Sequence, residues 1–252
     1  MLQITGIIPA RYASQRLPGK PLAMIKGKTM IQRVYEQAMM CPEFNSVVVA
    51  TDDEKIFSHV IDFGGKAVMT SPNHSSGTDR CYEAACKLNI LEDDHIIINI
   101  QGDEPYIQPE QIRELLNCFN SKQTQIATLV KETRNNEEIF NVSKPKVVIN
   151  NKKQALYFSR SPLPYICNAE PEFYAQNHAF LIHIGLYGYR LGALKKISAL
   201  PPSSLEKAEA LEQLRWLENG FSIQTEYTKF DSFSVDTIED LQKLNEKSDE
   251  FC

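Results

Sequence analysis

The sequence predicts an α/β fold: a mostly parallel sheet covered by helices on both faces. Three observations carry this. Short runs at Ile4–Pro9, Ser46–Ala50 and His95–Ile100 are apolar without alternation, as strands buried on both faces are. Segments with helical spacing separate them. Proline or glycine punctuates the ends of those helical segments, at Pro42 and at Gly64-Gly65.

The elements follow in order. After the first strand comes a polar, basic loop, Ala10–Lys20. Residues 29–40 predict a helix, with Met30, Ile31, Val34, Ala38 and Met39 on one side. The second strand leads to a helix over 52–63, a short strand Ala67–Met69 and a helix over 78–88. The later half is less regular. Strands are expected at 126–132, 146–150, 155–159 and 182–189. A helix is expected over Glu206–Asn219 and another over 238–247. Residues 161–177, rich in proline and polar groups, read as an excursion from the sheet. There is no internal repeat and no clear linker, so 1–252 reads as one domain, with about 160–185 as its excursion.

Composition narrows the function. The chain has 252 residues, 27 Lys plus Arg against 32 Asp plus Glu, and a net charge of −5. That disfavours a general nucleic-acid binder. No apolar run reaches about 18 residues, so no membrane span is expected. The N-terminus has no signal-peptide pattern. Six scattered cysteines, none in a C-x-x-C pair, read as reduced thiols of a cytoplasmic protein rather than a zinc site.

Three segments can carry chemistry. Arg11, Arg16 and Lys20 follow the first strand, with Gly19 just before Lys20. Ligands of open α/β sheets bind at the carboxyl ends of strands, where guanidinium forks and an ammonium suit a triphosphate. A solvated basic turn is the plainer alternative. No Walker-type G-x-x-x-x-G-K-[ST] and no G-x-G-x-x-G is present. The segment Asn99–Pro105 presents Asp103 and Glu104 after the most apolar strand, and carboxylates beside a triphosphate commonly hold Mg²⁺. Asp236 is a second candidate ligand, or else the N-cap of the last helix. Spacing alone does not pair it with Asp103. Finally, Ser75–Arg80 before a helix reads equally as an anion or base site and as an ordinary cap.

Together these segments resemble the 3-deoxy-manno-octulosonate (Kdo) cytidylyltransferases, or CMP-Kdo synthetases. The resemblance rests on residues 7–22 (IIPARYASQRLPGKPL), 49–52, 76–80 (SGTDR), 99–105 (NIQGDEP), 155–160, 183–190 (HIGLYGYR), 211–215 (LEQLR) and 235–237. His183-x-Gly185-x-Tyr187 and the Leu211–Arg215 segment narrow it from sugar nucleotidyltransferases at large.

The resemblance implies a nucleotide-diphospho-sugar transferase type of fold and a homodimer. It implies that CTP and Kdo give CMP-Kdo and pyrophosphate with Mg²⁺ for lipopolysaccharide synthesis, in the cytoplasm of a bacterium with a Gram-negative-type envelope or, as the lesser alternative, in a plant. By position, Arg11, Ser14, Arg16 and Lys20 would hold the triphosphate. Ser76, Gly77 and Arg80 would form the cytidine pocket, and Asp103 and Asp236 would bind Mg²⁺. Gln101, Arg160, His183, Tyr187, Glu212 and Gln213 would line the sugar site. Lys20, Arg16, Asp103 and Asp236 would carry catalysis. Read without the resemblance, His183 and Tyr187 are strand residues packing a sheet face, and Glu212 and Gln213 a solvated helix surface.

Two departures stand out: Ile238 where many relatives have proline, and Lys144-Pro145-Lys146 where Asn-x-Val-Lys is commoner. The rivals are a sialic acid cytidylyltransferase, whose opening loop usually differs, an enzyme for 8-amino-Kdo, and a non-catalytic nucleotide binder. Glu104 favours ordinary Kdo over the amino sugar, and intact Lys20, Asp103 and Asp236 oppose a non-catalytic role.

Overall fold

The structure, a computed structural model, describes residues 2–13 and 17–246. Ser14, Arg16, Cys252 and the expected end of the last helix at Lys247 lie outside the described residues. The chain forms two compact units. The first comprises Met1–Arg113, Tyr189–Ser198 and Ser232–Cys252; the second comprises Glu114–Gly188 and Ala199–Asp231.

In the first unit β1 (Ile4–Ala10) is central. A two-residue turn, Lys26-Gly27, joins the short β2 (Met24–Ile25) and β3 (Lys28–Thr29). Both turn residues have positive φ, the geometry that suits a tight hairpin. Strands of two residues each leave no alternation in the sequence to mark this hairpin. Thr29 caps α1 (Met30–Met39), accepting from Gln32 N–H, and the helix buries Ile31, Val34 and Ala38. Then come β4 (Ser46–Thr51), α2 (Glu54–Asp62, capped by Asp53) and β5 (Ala67–Met69). They are followed by α3 (Gly77–Lys87), β6 (Ile96–Asn99) and α4 (Pro109–Asn117).

The strands run parallel in the order β6-β1-β4-β5. Helix α1 packs on β1 and β4, α2 on β4 and β5, and α3 on β1, β4 and β6. Ile7, Ile8, Val49 and Ile96–Ile98 are fully enclosed, as their unbroken apolar runs require. From β1 the chain first goes to β4 and β5 on one side, then returns to β6 on the other. The reversal opens a crevice at the carboxyl ends of β1 and β6.

The second unit pairs β7 (Ile126–Thr133) in parallel with β11 (Ile223–Tyr227), and β10 (Phe180–Arg190) lies beside β7. Between β7 and β10 come α5 (Asn136–Phe140) and the antiparallel pair β8 (Lys146–Ile149) and β9 (Ala155–Ser159). Strand β8 meets β10 at Lys146 and Ile182. The excursion holds a 3-10 turn and α6 (Tyr174–Asn177), pinned by an apolar cluster of Ile139, Tyr174 and Phe180. Helix α7 (Leu191–Ser198) belongs to the first unit and packs on α3.

The single helix expected over Glu206–Asn219 is instead two: α8 (Ser204–Glu209) and α9 (Gln213–Glu218). Ser203 and Glu206 form a capping box that starts α8, and Ala210 at φ 50° ends it in the left-handed region. The break turns Leu211 into the interior. Helical spacing continues across such a break, so the pattern does not reveal it. The last helix, α10 (Ile238–Glu246), follows Val235 into a first-unit apolar cluster with Leu17, Ile25, Met30 and Leu244.

Candidate functional site

A cavity of about 290 Å³ lies at the carboxyl ends of β1 and β6. Lys20 lines it from the turn just after Gly19. Gly19 sits at φ 69° and donates its N–H to the Tyr12 carbonyl at 3.0 Å. Gly102 lets Asp103 in: a Cβ there would stand 2.8 Å from the Pro9 carbonyl oxygen. The two strand ends therefore touch backbone to backbone, which only glycine allows.

Asp236 arrives from the far end of the chain. Val235 is buried, and its N–H donates to the Asp103 carbonyl at 3.0 Å. Capping of α10 falls to its neighbours: Thr237 Oγ1 accepts from Asp240 N–H, and the Asp240 carboxylate takes the N–H groups of Asp236 and Thr237. The Asp236 carboxylate is thus not the helix cap. Lys20 Nζ lies 2.7 Å from Asp103 Oδ2 and 3.0 Å from Asp236 Oδ1.

These residues fit a divalent cation of the Mg²⁺ class. The donors are hard carboxylate oxygens, and one positive group already sits between the two side chains. Next to Asp103, Glu104 is buried and accepts from the Ser232 hydroxyl at 2.5 Å. Burial pushes its carboxyl up to about 7, against the Ser232 bond and with the help of the Asp103 charge.

The α3 side of the cavity carries Ser76, Gly77 and Arg80, and Arg11 and Gln101 line it from the strand ends. Ser76 is a true cap, accepting from Asp79 N–H at 3.1 Å, and it also lines the cavity. A Cβ on Gly77 would press on Pro9 at 3.2 Å. Arg80 is 3% exposed and braces the wall. Its Nη1 donates to Thr70 Oγ1 at 2.6 Å and its Nη2 to Asp52 Oδ2 at 3.0 Å.

His74 also lines the cavity, and sequence reasoning missed it. Its Nε2 contacts Glu83, which also accepts from Ser71 N–H at 2.8 Å and pairs with Lys87 at 2.9 Å. Burial alone would push the Glu83 carboxyl up; the Ser71, Lys87 and His74 contacts outweigh it and bring it down to about 2. Three polar partners spread over a loop and a helix leave no compact motif. The faint signal was Glu83 two turns into a helix that begins beside His74.

The remaining expected sugar residues all lie in the second unit. Arg160 donates its Nε to the Glu209 carbonyl, Nη1 to the Val142 carbonyl and Nη2 to the Ala210 carbonyl, at 2.7, 2.8 and 3.2 Å. His183 Nε2 is 3.1 Å from Thr128 Oγ1, and its ring meets Phe158 edge-on and Tyr187 at a tilt. Desolvation pushes its imidazole below the usual range. Tyr187 is buried with its ring against Trp216. Burial, then the Glu212 charge, push its hydroxyl well above the usual value. Glu212 pairs with Arg215 at 2.7 Å. Gln213 is buried rather than on a solvated surface, and its Nε2 meets no acceptor among the described residues. Among the described residues, no group of three or more His, Cys, Asp or Glu side chains is placed to hold a metal ion.

The sequence pattern of the cytidylyltransferase family matches residues 5–230. A 3-deoxy-manno-octulosonate cytidylyltransferase of Parabacteroides distasonis is 53% identical over 247 residues, covering 96% of this chain and 97% of that one. The chain belongs to this family. An 8-amino-3,8-dideoxy-manno-octulosonate cytidylyltransferase of a Shewanella species is 43% identical, covering 98% of each chain. A solved CMP:2-keto-3-deoxy-manno-octonic acid synthetase complexed with CTP matches with a TM-score of 0.88 at 43% identity, covering 96% of this chain and 97% of that one. A cytidylyltransferase of Leptospira borgpetersenii, at 18% identity and a TM-score of 0.62, shares the fold. The fold is thus of the nucleotide-diphospho-sugar transferase type, as the sequence predicted.

Proposed function

We propose that the protein transfers CMP from CTP to the anomeric hydroxyl of Kdo, giving CMP-Kdo and pyrophosphate. The observation that carries this reading is the meeting of Lys20, Asp103 and Asp236 at the ends of β1 and β6. The anomeric oxygen attacks the α-phosphorus in line, its hydroxyl proton passes to solvent, and the α–β bridging oxygen leaves with the bond's electrons as pyrophosphate. Arg11 and Lys20 hold triphosphate oxygens, with Arg16 taking the same role. Ser76, Gly77 and Arg80 shape the nucleoside side. Asp103 and Asp236 would hold Mg²⁺, which supplies charge neutralisation at the phosphates and a more acidic sugar hydroxyl.

Gln101, Arg160, His183, Tyr187, Glu212 and Gln213 are assigned to the sugar. A neutral His183 and an amide donor on Gln213 suit hydroxyl groups, and Arg160 suits a carboxylate. No covalent intermediate is needed, so positioning and charge supply the acceleration.

A homodimer is part of the same reading. Phe140, Val142, Tyr165 and Phe173 of the second unit are exposed apolar side chains that a second copy would cover. The cytoplasm, where CTP is made, is the compartment the reaction requires. Among the described residues no helix is long and apolar enough to cross a membrane.

The test is pyrophosphate release from four nucleoside triphosphates against Kdo, 8-amino-Kdo and sialic acid. Release confined to CTP with Kdo is expected. Release independent of sugar, or preference for another sugar, overturns the assignment. Sedimentation of the purified protein tests the dimer.

A further inference from the structure

Lys146 is a wholly enclosed lysine that the proposed reaction does not use. Enclosing an ammonium is costly unless an opposite charge accompanies it. This one donates to a neutral acceptor, the Asn141 carbonyl, at 2.9 Å. On β8 it stands opposite Ser159 of β9, immediately before Arg160. Arg160 donates to the very next carbonyl, that of Val142, and to the carbonyls of Glu209 and Ala210. Both cations are therefore solvated by backbone dipoles, and among the described residues neither forms a direct ion pair.

The nearby carboxylate, Glu209, is occupied by the Ser159 hydroxyl at 2.6 Å and the Arg160 backbone N–H at 2.9 Å. Two positive groups against one negative leave this cluster one anion short of neutral. Arg160 is half-buried and open to a ligand, whereas Lys146 is not.

We infer that Lys146 is a positioning residue for the acid group of the sugar: it lends charge from behind Arg160 and fixes the Asn141–Val142 turn that aims the guanidinium. The inference rests on the proposed function. It makes a single carboxylate, a monoanion, the feature that this end of the substrate must carry. Burial, assisted by the Arg160 charge and opposed by Glu209, brings the Lys146 ammonium down to about 8. Its charge is then largely present at pH 7 and lost above pH 8.

The test uses the full-length enzyme with Mg²⁺, Kdo and the C1 carboxamide of Kdo. Lys146→Met is expected to raise the KM for Kdo about tenfold, the scale of one partly screened charge. The kcat and the KM for CTP stay within about threefold. The inhibition constant of the carboxamide, which lacks the charge, is expected to be unchanged. An equal loss on acid and amide, or no loss on either, overturns the inference.

If the variant does not fold, the wild-type enzyme carries the test through pH. Its KM for Kdo should rise between pH 7 and 9.5 while the constant for the amide stays flat. Of the groups facing Lys146, Arg160 keeps its charge over this range. His183 on β10 is held neutral, and Tyr157 on β9 is pushed above its usual range. Parallel curves for acid and amide overturn the inference. A wild-type enzyme that ignores Kdo overturns the functional reading as well; a normal wild type with an indifferent Lys146→Met overturns only the role of Lys146.

Discussion

Lys20 and Asp236 are 216 positions apart in sequence, yet their charged atoms lie 3.0 Å apart, with Asp103 on the other side of the ammonium at 2.7 Å. Each carboxylate is delivered by a different device: Asp103 by the glycine exit from β6, Asp236 by the buried Val235. The proposed function gives the three groups a use in the transfer step; part-exposed ion pairs of this kind contribute little to stability.

The first prediction follows from that trio. Asp103→Asn keeps the shape and one acceptor but loses the charge. Turnover should fall about 10³-fold, the scale of losing one electrostatic stabiliser. The thermal midpoint should hardly move. Pyrophosphate release at saturating Mg²⁺ and a melting curve check both halves. Near-normal turnover would remove Asp103 from the proposed metal site.

Gly102 gives a second. A methyl group at this position would stand 2.8 Å from the Pro9 carbonyl oxygen, and neither backbone can yield without moving β1 or β6. Gly102→Ala should cost about 1–3 kcal/mol, the range for overpacking, and should also displace Asp103. Denaturant unfolding reads the first effect and kcat the second. A stable variant with full activity would show that the strand ends can part.

Much of this was legible in the sequence, for physical reasons. A parallel strand buried on both faces writes an unbroken apolar run, so β1, β4 and β6 were visible. Asp103 follows such a run closely and Lys20 ends the loop after another, and the position of ligands in open sheets points at them. Asp236 was visible as a residue but not as a partner, because no local rule joins sites so far apart in the chain. The break at Ala210 was hidden, since alanine normally favours a helix. Gln213 reads as part of a solvated helix surface in the sequence, whereas after that break it is buried. The brace formed by His74, Glu83, Ser71 and Lys87 crosses two elements and leaves no periodic trace.

Glu83 predicts a pH dependence. Its carboxyl is held at about 2 in the folded chain, below its usual 4.5. A depressed acid stabilises above its unfolded value and loses that contribution as pH falls through the folded one. Stability should therefore decline between about pH 4.5 and 2, by at most about 1.4 kcal/mol per pH unit from this group. Glu83→Gln should flatten that slope and raise the KM for CTP by loosening the wall that carries His74. Urea titrations across this range decide it; an unchanged slope in the variant would mean that the pairing is weak.

Arg80 is a brace whose loss should be felt in the fold. Its guanidinium is enclosed, and Arg80→Met would strand the Asp52 carboxylate beside Thr70. Removing one partner of a buried pair costs about 3–5 kcal/mol, far more than an exposed pair is worth. Asp52→Asn should cost less, because the arginine keeps its Thr70 bond. Equal small losses in both variants would recast the pair as exposed.

Ala210 holds a conformation that alanine disfavours. At φ 50° the Cβ crowds the following carbonyl, a penalty of about 1–2 kcal/mol. Glycine removes the penalty but frees the unfolded chain, which costs about 0.4–1 kcal/mol. Relief outweighs freedom, so Ala210→Gly should stabilise the protein by up to about 1 kcal/mol. Ala210→Val should destabilise it, since a β-branched side chain tolerates this region worst. The carbonyls of Glu209 and Ala210 that receive Arg160 are backbone atoms, so the glycine variant keeps both acceptors. Its KM for Kdo should accordingly match wild type. Urea midpoints for the two variants test the balance, and a destabilised glycine variant would show that Arg160 and the α8 terminus depend on the stiffness of alanine at this corner.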